Sequence, residues 1–293
     1  MEKRTENLVG WAFVLPALLV FLAFVVFPFA ASMLLSVTEW NFLSGLKGIH
    51  FVGVKNFVKL VTDEYFLYSL RNTAVYTVLT VPTSILFSLA LAYLLNSKVY
   101  CMKALRMAFF IPYISSTVAL AAVFGFLFRS DGIVNSILSR FFGITEEFHW
   151  LLDPKLNKTP IVLLLFWTAI GYELIIYMAA LQNVPRELYE ASALDGAAGL
   201  TQFIHVTFPL ISPTTFYLMV VRMITAIKVF SAVNILTLGV SSAANTSIVQ
   251  QIYQNAFDKY EFGYASAEAV VLFVILLAIT GFQFWGQKKW VHY

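Results

Sequence analysis

The chain has 293 residues, 60 % hydrophobic and 12 % charged, with a formal net charge of +3 and a mean hydropathy of +0.79. Soluble domains carry ~25 % charged residues, so this composition excludes a protein coated by water on all sides and makes lipid part of its solvent. The single cysteine, Cys101, excludes an internal disulfide and a cysteine metal cluster, and no nucleic-acid partner is expected.

Residues 1–7 are charged, with Lys3 and Arg4, and the first apolar run follows at 9–36, containing Pro16 and Pro28. Basic residues ahead of an apolar core, with Ala30-Ala31 behind it, also fit the outline of a signal peptide. The run is longer than such a core and long enough to cross ~30 Å of hydrocarbon, so an uncleaved span is expected. Residues 39–71 read as an aromatic-rich polar loop lying over the helix ends, without chemistry of its own. A second span is expected at 73–96, with Pro82 inside, then a short loop holding Lys98, Lys103 and Arg106, and a third span at 107–128. The polar stretch 129–158 leads to a fourth span at 160–182, which carries Gly171 and Glu173. A fifth span at 208–237 carries Arg222 and Lys228; a sixth is expected at 264–285, and Lys288-Lys289 follow it. The 28 Phe, 14 Tyr and 6 Trp suit a bilayer protein anchored by aromatic side chains at its interfaces.

Between the fourth and fifth spans lies the most polar-patterned stretch, Glu187–Pro213, reading ELYEASALDGAAGLTQFIHVTFPLISP. Pro185 suits the start of a helix, where its missing N–H leaves nothing unpaired. Glu187 and Glu190 sit near that N-terminus, where the helix dipole favours anions. Leu188, Ala191 and Leu194 recur at three-residue spacing and make a short apolar face. Gly196 and Gly199 supply the left-handed backbone that ends helices. A surface helix, a sharp turn and a second helix entering the membrane near 202–207 are therefore expected.

The run Glu190-Ala191-Ser192-Ala193-Leu194-Asp195-Gly196-Ala197, followed by Phe203, Pro209 and Pro213, resembles the EAA loop of binding-protein-dependent ABC transporter permeases. The Asp-Gly-Ala form resembles the sugar branch, as in the maltose and glycerol-phosphate systems. Further pieces carry the same resemblance: Phe51-Val52-Gly53-Val54-Lys55-Asn56-Phe57, Phe110-Ile111-Pro112, and Trp150-Leu151-Leu152-Asp153-Pro154. Members of the family usually carry Gly-Gly-Pro where this chain reads Leu238-Gly239-Val240-Ser241, which leaves that turn open. The resemblance implies an all-α membrane protein with six transmembrane helices, the type I ABC importer permease fold, over the whole chain as one permease domain. It also implies partners: a second permease subunit, a dimer of ATP-binding subunits holding ATP and magnesium, and an extracytoplasmic sugar-binding protein. The loop at 183–207 would dock on the ATPase through Glu187, Glu190, Ala191, Ala193, Leu194, Asp195, Gly196, Ala197, Phe203 and Pro209.

Six spans place both termini on one side. Lys3, Arg4, Lys98, Lys103, Arg106, Arg186, Lys288 and Lys289 all fall in short segments on that side. The positive-inside rule makes it the cytoplasm, where the 183–207 loop meets an ATPase, in a bacterial or archaeal cytoplasmic membrane.

Ionisable residues inside spans are functional candidates, here Glu173, Arg222 and Lys228. Each has a structural reading beside a lining of the substrate path: Glu173 pairs with Arg222 in the bundle, Arg222 snorkels or faces the partner subunit, and Lys228 stands where members of the family resembled often carry a polar or basic residue. Thr225, Lys228 and Ser231 follow one another at three-residue spacing, so neighbours in the series adjoin on a helix. With Asn234, Tyr172 and Glu173 they form a candidate lining, aromatic for stacking and polar for sugar hydroxyls. No G-x-x-x-x-G-K-[ST] loop occurs, so no cofactor is expected on this chain. His50, His149, His205 and His292 are dispersed, and no nucleophile–base set is seen, so a transport subunit rather than an enzyme is expected. Two alternatives remain: the same machinery carrying an anionic sugar or glycerol phosphate, suggested by Arg222 and Lys228, or an ion-coupled secondary transporter using Glu173.

Overall fold

The computed structural model describes residues 2–96, 102–240, 242–288 and 290–291. Lys98, Cys101, Ser241, Lys289 and His292 lie outside the described residues, as do the side chains of Lys3 and Arg4. In lipid every backbone polar group must be satisfied within its own segment, and the apolar runs accordingly form helices. α1 crosses at Gly10–Leu35 and contains a π-helical turn at Leu22–Val26. A hairpin of β1 (Thr38–Glu39) and β2 (His50–Phe51) follows, then α2 (Lys55–Thr62) and α3 (Glu64–Asn96). α4 (Met102–Ile114) and α5 (Thr117–Leu127) form a bent pair, and α6 (Ile133–Phe142) leads to α7 (Lys158–Gln182). α8 (Arg186–Leu194) precedes α9 (Leu200–Ile227), which has a π-helical turn at Phe203–Thr207. α10 (Ser231–Leu236), α11 (Ile248–Tyr253) and α12 (Phe262–Gln287) complete the chain.

Three expected spans are corrected. The second begins at Glu64, nine residues before the expected 73, because Phe66 and Ser69 are already buried and belong to the packed helix. The third is two helices meeting at 101°. Pro112 removes one ladder hydrogen bond, Ser115 Oγ donates back to the Ile111 carbonyl at 2.7 Å, and Ser116 is extended. The fifth ends at Ile227 rather than 237: Lys228–Phe230 leave the helix and α10 is a separate short turn.

The chain divides into two compact units. The first comprises residues 1–63 and 252–274. Its hairpin pairs Thr38 with Phe51 and Glu39 with His50. Asn56, buried on α2, donates to the carbonyls of Ser36 at 2.9 Å and Thr38 at 2.8 Å. The segment around Asn56 is therefore a structural clasp. Gly263 lies so close to the hairpin that a Cβ there would stand 2.1 Å from the Thr38 carbonyl oxygen. The Tyr264 hydroxyl donates to Asp63 Oδ2 at 2.5 Å, and buried Glu268 accepts from Asn255 Nδ2 at 2.9 Å.

The second unit comprises residues 64–251 and 275–293. One apolar cluster joins Val81, Ile85, Leu89, Ala92 and Leu95 of α3 to Leu174, Tyr177, Met178 and Leu181 of α7, and to Ile211 and Leu218 of α9. A second joins Tyr76 to Phe124, Phe128, Leu164, Val233 and Leu236. Between them α3 buries Ser69, Thr73, Thr77, Thr80, Ser84 and Ser88. Small hydroxyl residues let membrane helices approach closely and return their own donors to the backbone. Thr73, Thr77 and Thr80 do so, each bonding a carbonyl four residues back. After α10, Leu238 (φ 53°) and Gly239 (φ 74°) make the turn that the missing Gly-Gly-Pro left open.

Candidate functional site

The segment between the fourth and fifth crossings folds as a capped helix held against the start of the next. α8 begins after Pro185, which stands just outside the helix, and Glu187 occupies its first turn. Its C-terminus is a Schellman motif: Gly196 N–H donates to the Ala193 carbonyl at 3.0 Å, and Ala197 N–H to the Ser192 carbonyl at 2.9 Å. Gly196 adopts φ +80° and ends α8 as expected, whereas Gly199, with φ +52° and ψ −116°, stands just before the next helix instead of ending one. Glu187, Glu190, Ala191, Ala193 and Asp195 are exposed, and Leu194 is 90 % exposed. Leu188 and Leu200 join it as exposed apolar side chains.

Residues missed in the sequence hold this helix in place. Gln202 Nε2 donates to the Tyr189 carbonyl and to Ser192 Oγ, both at 2.9 Å. The Tyr189 hydroxyl lies 2.9 Å from Thr207 Oγ1, which is buried. Half-buried Phe203 packs edge-on against Tyr93, ring centroids 5.0 Å apart. Pro209 lies at the head of the straight part of α9. The signal for the clasp was the polar Gln202 and Thr207 on a helix otherwise entering lipid.

Deeper in the same unit, Glu173 of α7 has no exposed surface. Its Oε1 accepts from Ser84 Oγ at 2.8 Å and its Oε2 from Ser88 Oγ at 2.9 Å. Arg222 Nε stands 2.9 Å from Oε1. Of its two readings, the ion pair within the bundle describes Glu173. Ser84 and Ser88, one helical turn apart within an apolar run, were missed in the sequence.

The other candidate lining residues do not form one strip. Thr225, Lys228 and Ser231 are exposed, but the helix ends at Ile227 and the three-residue series crosses a break. Asn234 turns inward, its Oδ1 3.4 Å from Gln250 Nε2. Thr225 Oγ1 donates to its own helix at Val221 O, 2.8 Å. Tyr172 joins an aromatic group missed in the sequence: its hydroxyl lies 2.9 Å from that of Tyr217, and its ring stacks on Tyr113 at 5.4 Å. Tyr113 and Tyr217 are exposed. A cavity of about 890 Å³ is lined by Phe126, His149, Trp150, Leu238 and Val240, and by none of the candidate lining residues. Among the described residues no group of three His, Cys, Asp or Glu is placed to hold a metal.

Up to six apolar crossings, counting the bent pair as one, with an ion pair buried among three helices of the second unit and a capped helix between the fourth and fifth crossings, describe a multi-pass membrane component. The family described as "binding-protein-dependent transport system inner membrane component" matches residues 66–291, and the chain belongs to it. It is 33 % identical over 294 residues to the probable ABC transporter permease protein YesP of Bacillus subtilis (strain 168), covering 99 % of this chain and 94 % of that one. It is 31 % identical over 291 residues to the lactose transport system permease protein LacF of Rhizobium radiobacter, covering 98 % and 96 %. A chain in the crystal structure of a bacterial alginate ABC transporter with an alginate pentasaccharide-bound periplasmic protein superposes with a TM-score of 0.83 at 24 % identity, covering 98 % and 96 %. The fold is that of a type I ABC importer permease, and the family is one of transport subunits rather than enzymes.

Proposed function

We propose that this chain is one half of the transmembrane pathway of an ATP-driven sugar importer. It would pair with a second permease subunit and two ATP-binding subunits, and receive sugar from an extracytoplasmic binding protein. ATP and magnesium would be held by the ATPase partners. Both termini and the 183–207 loop would face the cytoplasm, and the six spans would form one permease domain. The sugar assignment follows the resemblance of the loop and the relatives' names.

The observation that supports the coupling role is α8 itself. It is a short helix capped at a left-handed glycine, clasped at its base, with Leu188 and Leu194 exposed. Apolar side chains on a short polar helix outside the membrane are the anchors of a helix-in-groove contact. A closing ATPase dimer would carry α8 with it, and α9 would pass that displacement into the membrane. Tyr172, Thr225, Lys228 and Ser231 would line the path on the face shared with the second permease. Glu173 would organise the path wall through Arg222, and Asn234 would support it through Gln250.

The test is affinity purification of the tagged chain from its native membrane, beside a Leu194→Asp variant. Co-purification of an ATP-binding subunit and a second permease with the parent chain, and loss of the ATPase from the variant, is expected. A chain that purifies alone and moves sugar without ATP would overturn the proposal. The secondary-transporter alternative needs a carboxylate free to exchange its ion, whereas Glu173 is shut in by two serines and an arginine.

A further inference from the structure

The two intramembrane cations of α9 and its end have different fates. Arg222 is matched by Glu173 at 2.9 Å. Lys228 is exposed, and among the described residues its ammonium group has no ion-pair or hydrogen-bond partner, its backbone N–H alone bonding the Ile224 carbonyl.

Its depth follows from the helix register. Glu173 meets Arg222 and Tyr177 meets Thr215, so α7 and α9 run antiparallel. Lys228 lies ~9 Å beyond Arg222 along α9, while α7 continues ~22 Å beyond Glu173 to Lys158, at 1.5 Å per residue. The lysine, one residue past the end of α9, therefore stands level with the middle of α7. A charge there is expensive unless it is paired or faces water. The C-terminus of α9 offers it a partial negative charge of about half a unit, which leaves a net positive site.

Lys228 also has a defined neighbour. Tyr217 lies about three helical turns before it, on the same face, ~16 Å along the axis. That is a distance a di- or trisaccharide covers. At the Tyr217 end the Tyr172 and Tyr217 hydroxyls meet, and the Tyr113 ring stacks on Tyr172. Exposed Thr225 stands between the two ends and exposed Ser231 just beyond. The end of α9 thus presents an aromatic platform and one unmatched cation, while the Thr225 hydroxyl is turned back to its own helix.

We propose that the sugar carried along this face is an acidic oligosaccharide, with a ring against the Tyr172–Tyr217 pair and its anionic group held by Lys228. The inference rests on the importer role proposed above. It takes the anion as a carboxylate, sulfonate or phosphate of the sugar itself, since the site has no donor set that separates these.

The experiment uses the complete importer, with its own second permease, ATPase and binding protein, reconstituted in liposomes. Probes are digalacturonate, an alginate disaccharide and glucose 6-phosphate on the acidic side, and lactose, maltose and cellobiose on the neutral side. Uptake within the acidic set is expected. Lys228→Gln is expected to raise KM for the accepted acidic probe tenfold or more, and Lys228→Arg to restore it to within about threefold. Uptake confined to neutral probes, or a KM unchanged by Lys228→Gln, would overturn the acidic assignment and leave the importer role standing. Loss of the second permease from the Lys228→Gln complex would assign the lysine to assembly and also overturn it. Uptake that proceeds without ATP would instead remove the importer role itself.

Discussion

Arg222 Nε and Glu173 Oε1 stand 2.9 Å apart, and the carboxylate has no exposed surface. The pair ties α9 to α7, and Ser84 and Ser88 tie the same carboxylate to α3. Three crossings thus converge on one charge. Such a group is stable only while its partners remain, because desolvating an ion is costly and its attraction to a fixed partner offsets that penalty.

Removing one partner should therefore do more damage than removing both. Arg222→Ala leaves a buried, uncompensated carboxylate and should destabilise the chain by ~3–5 kcal/mol. Glu173→Gln combined with Arg222→Gln keeps hydrogen-bonding groups for the two serines and should recover more than half of that. Thermal unfolding of the purified proteins in detergent measures both. Losses that simply add would show that the two side chains act separately.

The clasp under α8 leads to a prediction about coupling. Gln202 joins the base of α9 to the Tyr189 carbonyl and Ser192, fastening α8 across the turn at Gly199. A hydrogen bond contributes ~0.5–1.5 kcal/mol net, and Gln202→Ala removes two at once. The variant should retain the ATP-binding subunit and its hydrolysis while sugar moved per ATP falls about tenfold. Tyr189→Phe, which breaks only the contact to Thr207, should show a smaller fall in the same direction. An unchanged ratio of transport to hydrolysis in Gln202→Ala would remove the clasp from the coupling path.

The sequence and the fold agree where the physics is local. Apolar runs of span length predict helices, and Gly196 after Ala193-Leu194-Asp195 predicts a left-handed cap; both are present. The bend between α4 and α5 was hidden because Pro112 and Ser115-Ser116 sit in a run apolar enough to read as one straight crossing. The end of α9 at Ile227 was hidden for a similar reason, since Val229 and Phe230 continue the apolar pattern while their backbone leaves the helix. The Glu173 cage needed three helices to be placed side by side, information that no single segment carries. Glu173 and Arg222 were visible as costly residues, but Ser84 and Ser88 became significant only once α3 was packed on α7.

The cap of α8 separates strain from chemistry. Gly196 has φ +80°, and no neighbouring atom lies within 4 Å of the position a Cβ would take. A side chain there meets open space but a strained backbone. A left-handed conformation costs a residue with a Cβ roughly 1–2 kcal/mol, and asparagine less. Gly196→Val should loosen α8 and lower ATPase retention on purification, whereas Gly196→Asn should stay near the parent. Equal retention by both variants would mean that the turn tolerates any residue and that its geometry does not set the coupling contact.

Gly171 presents the opposite case, a glycine required by proximity. A Cβ there would stand 2.7 Å from the Phe109 carbonyl oxygen and 2.8 Å from Tyr113 Cβ. Neither neighbour can yield easily, since one is helix backbone and the other is the root of a side chain stacked on Tyr172. Gly171→Val must push α4 away from α7, and overpacking of this kind costs ~1–3 kcal/mol. The displacement also carries Tyr113 off the Tyr172 ring, at the aromatic end of the proposed path. The variant should therefore lose thermal stability and, at a temperature where it remains folded, show a raised KM for the transported sugar. A Gly171→Ala variant should show the same two effects at smaller amplitude. Loss of stability with KM unchanged in both variants would place the Tyr113–Tyr172 stack outside the path while leaving the close helix approach intact.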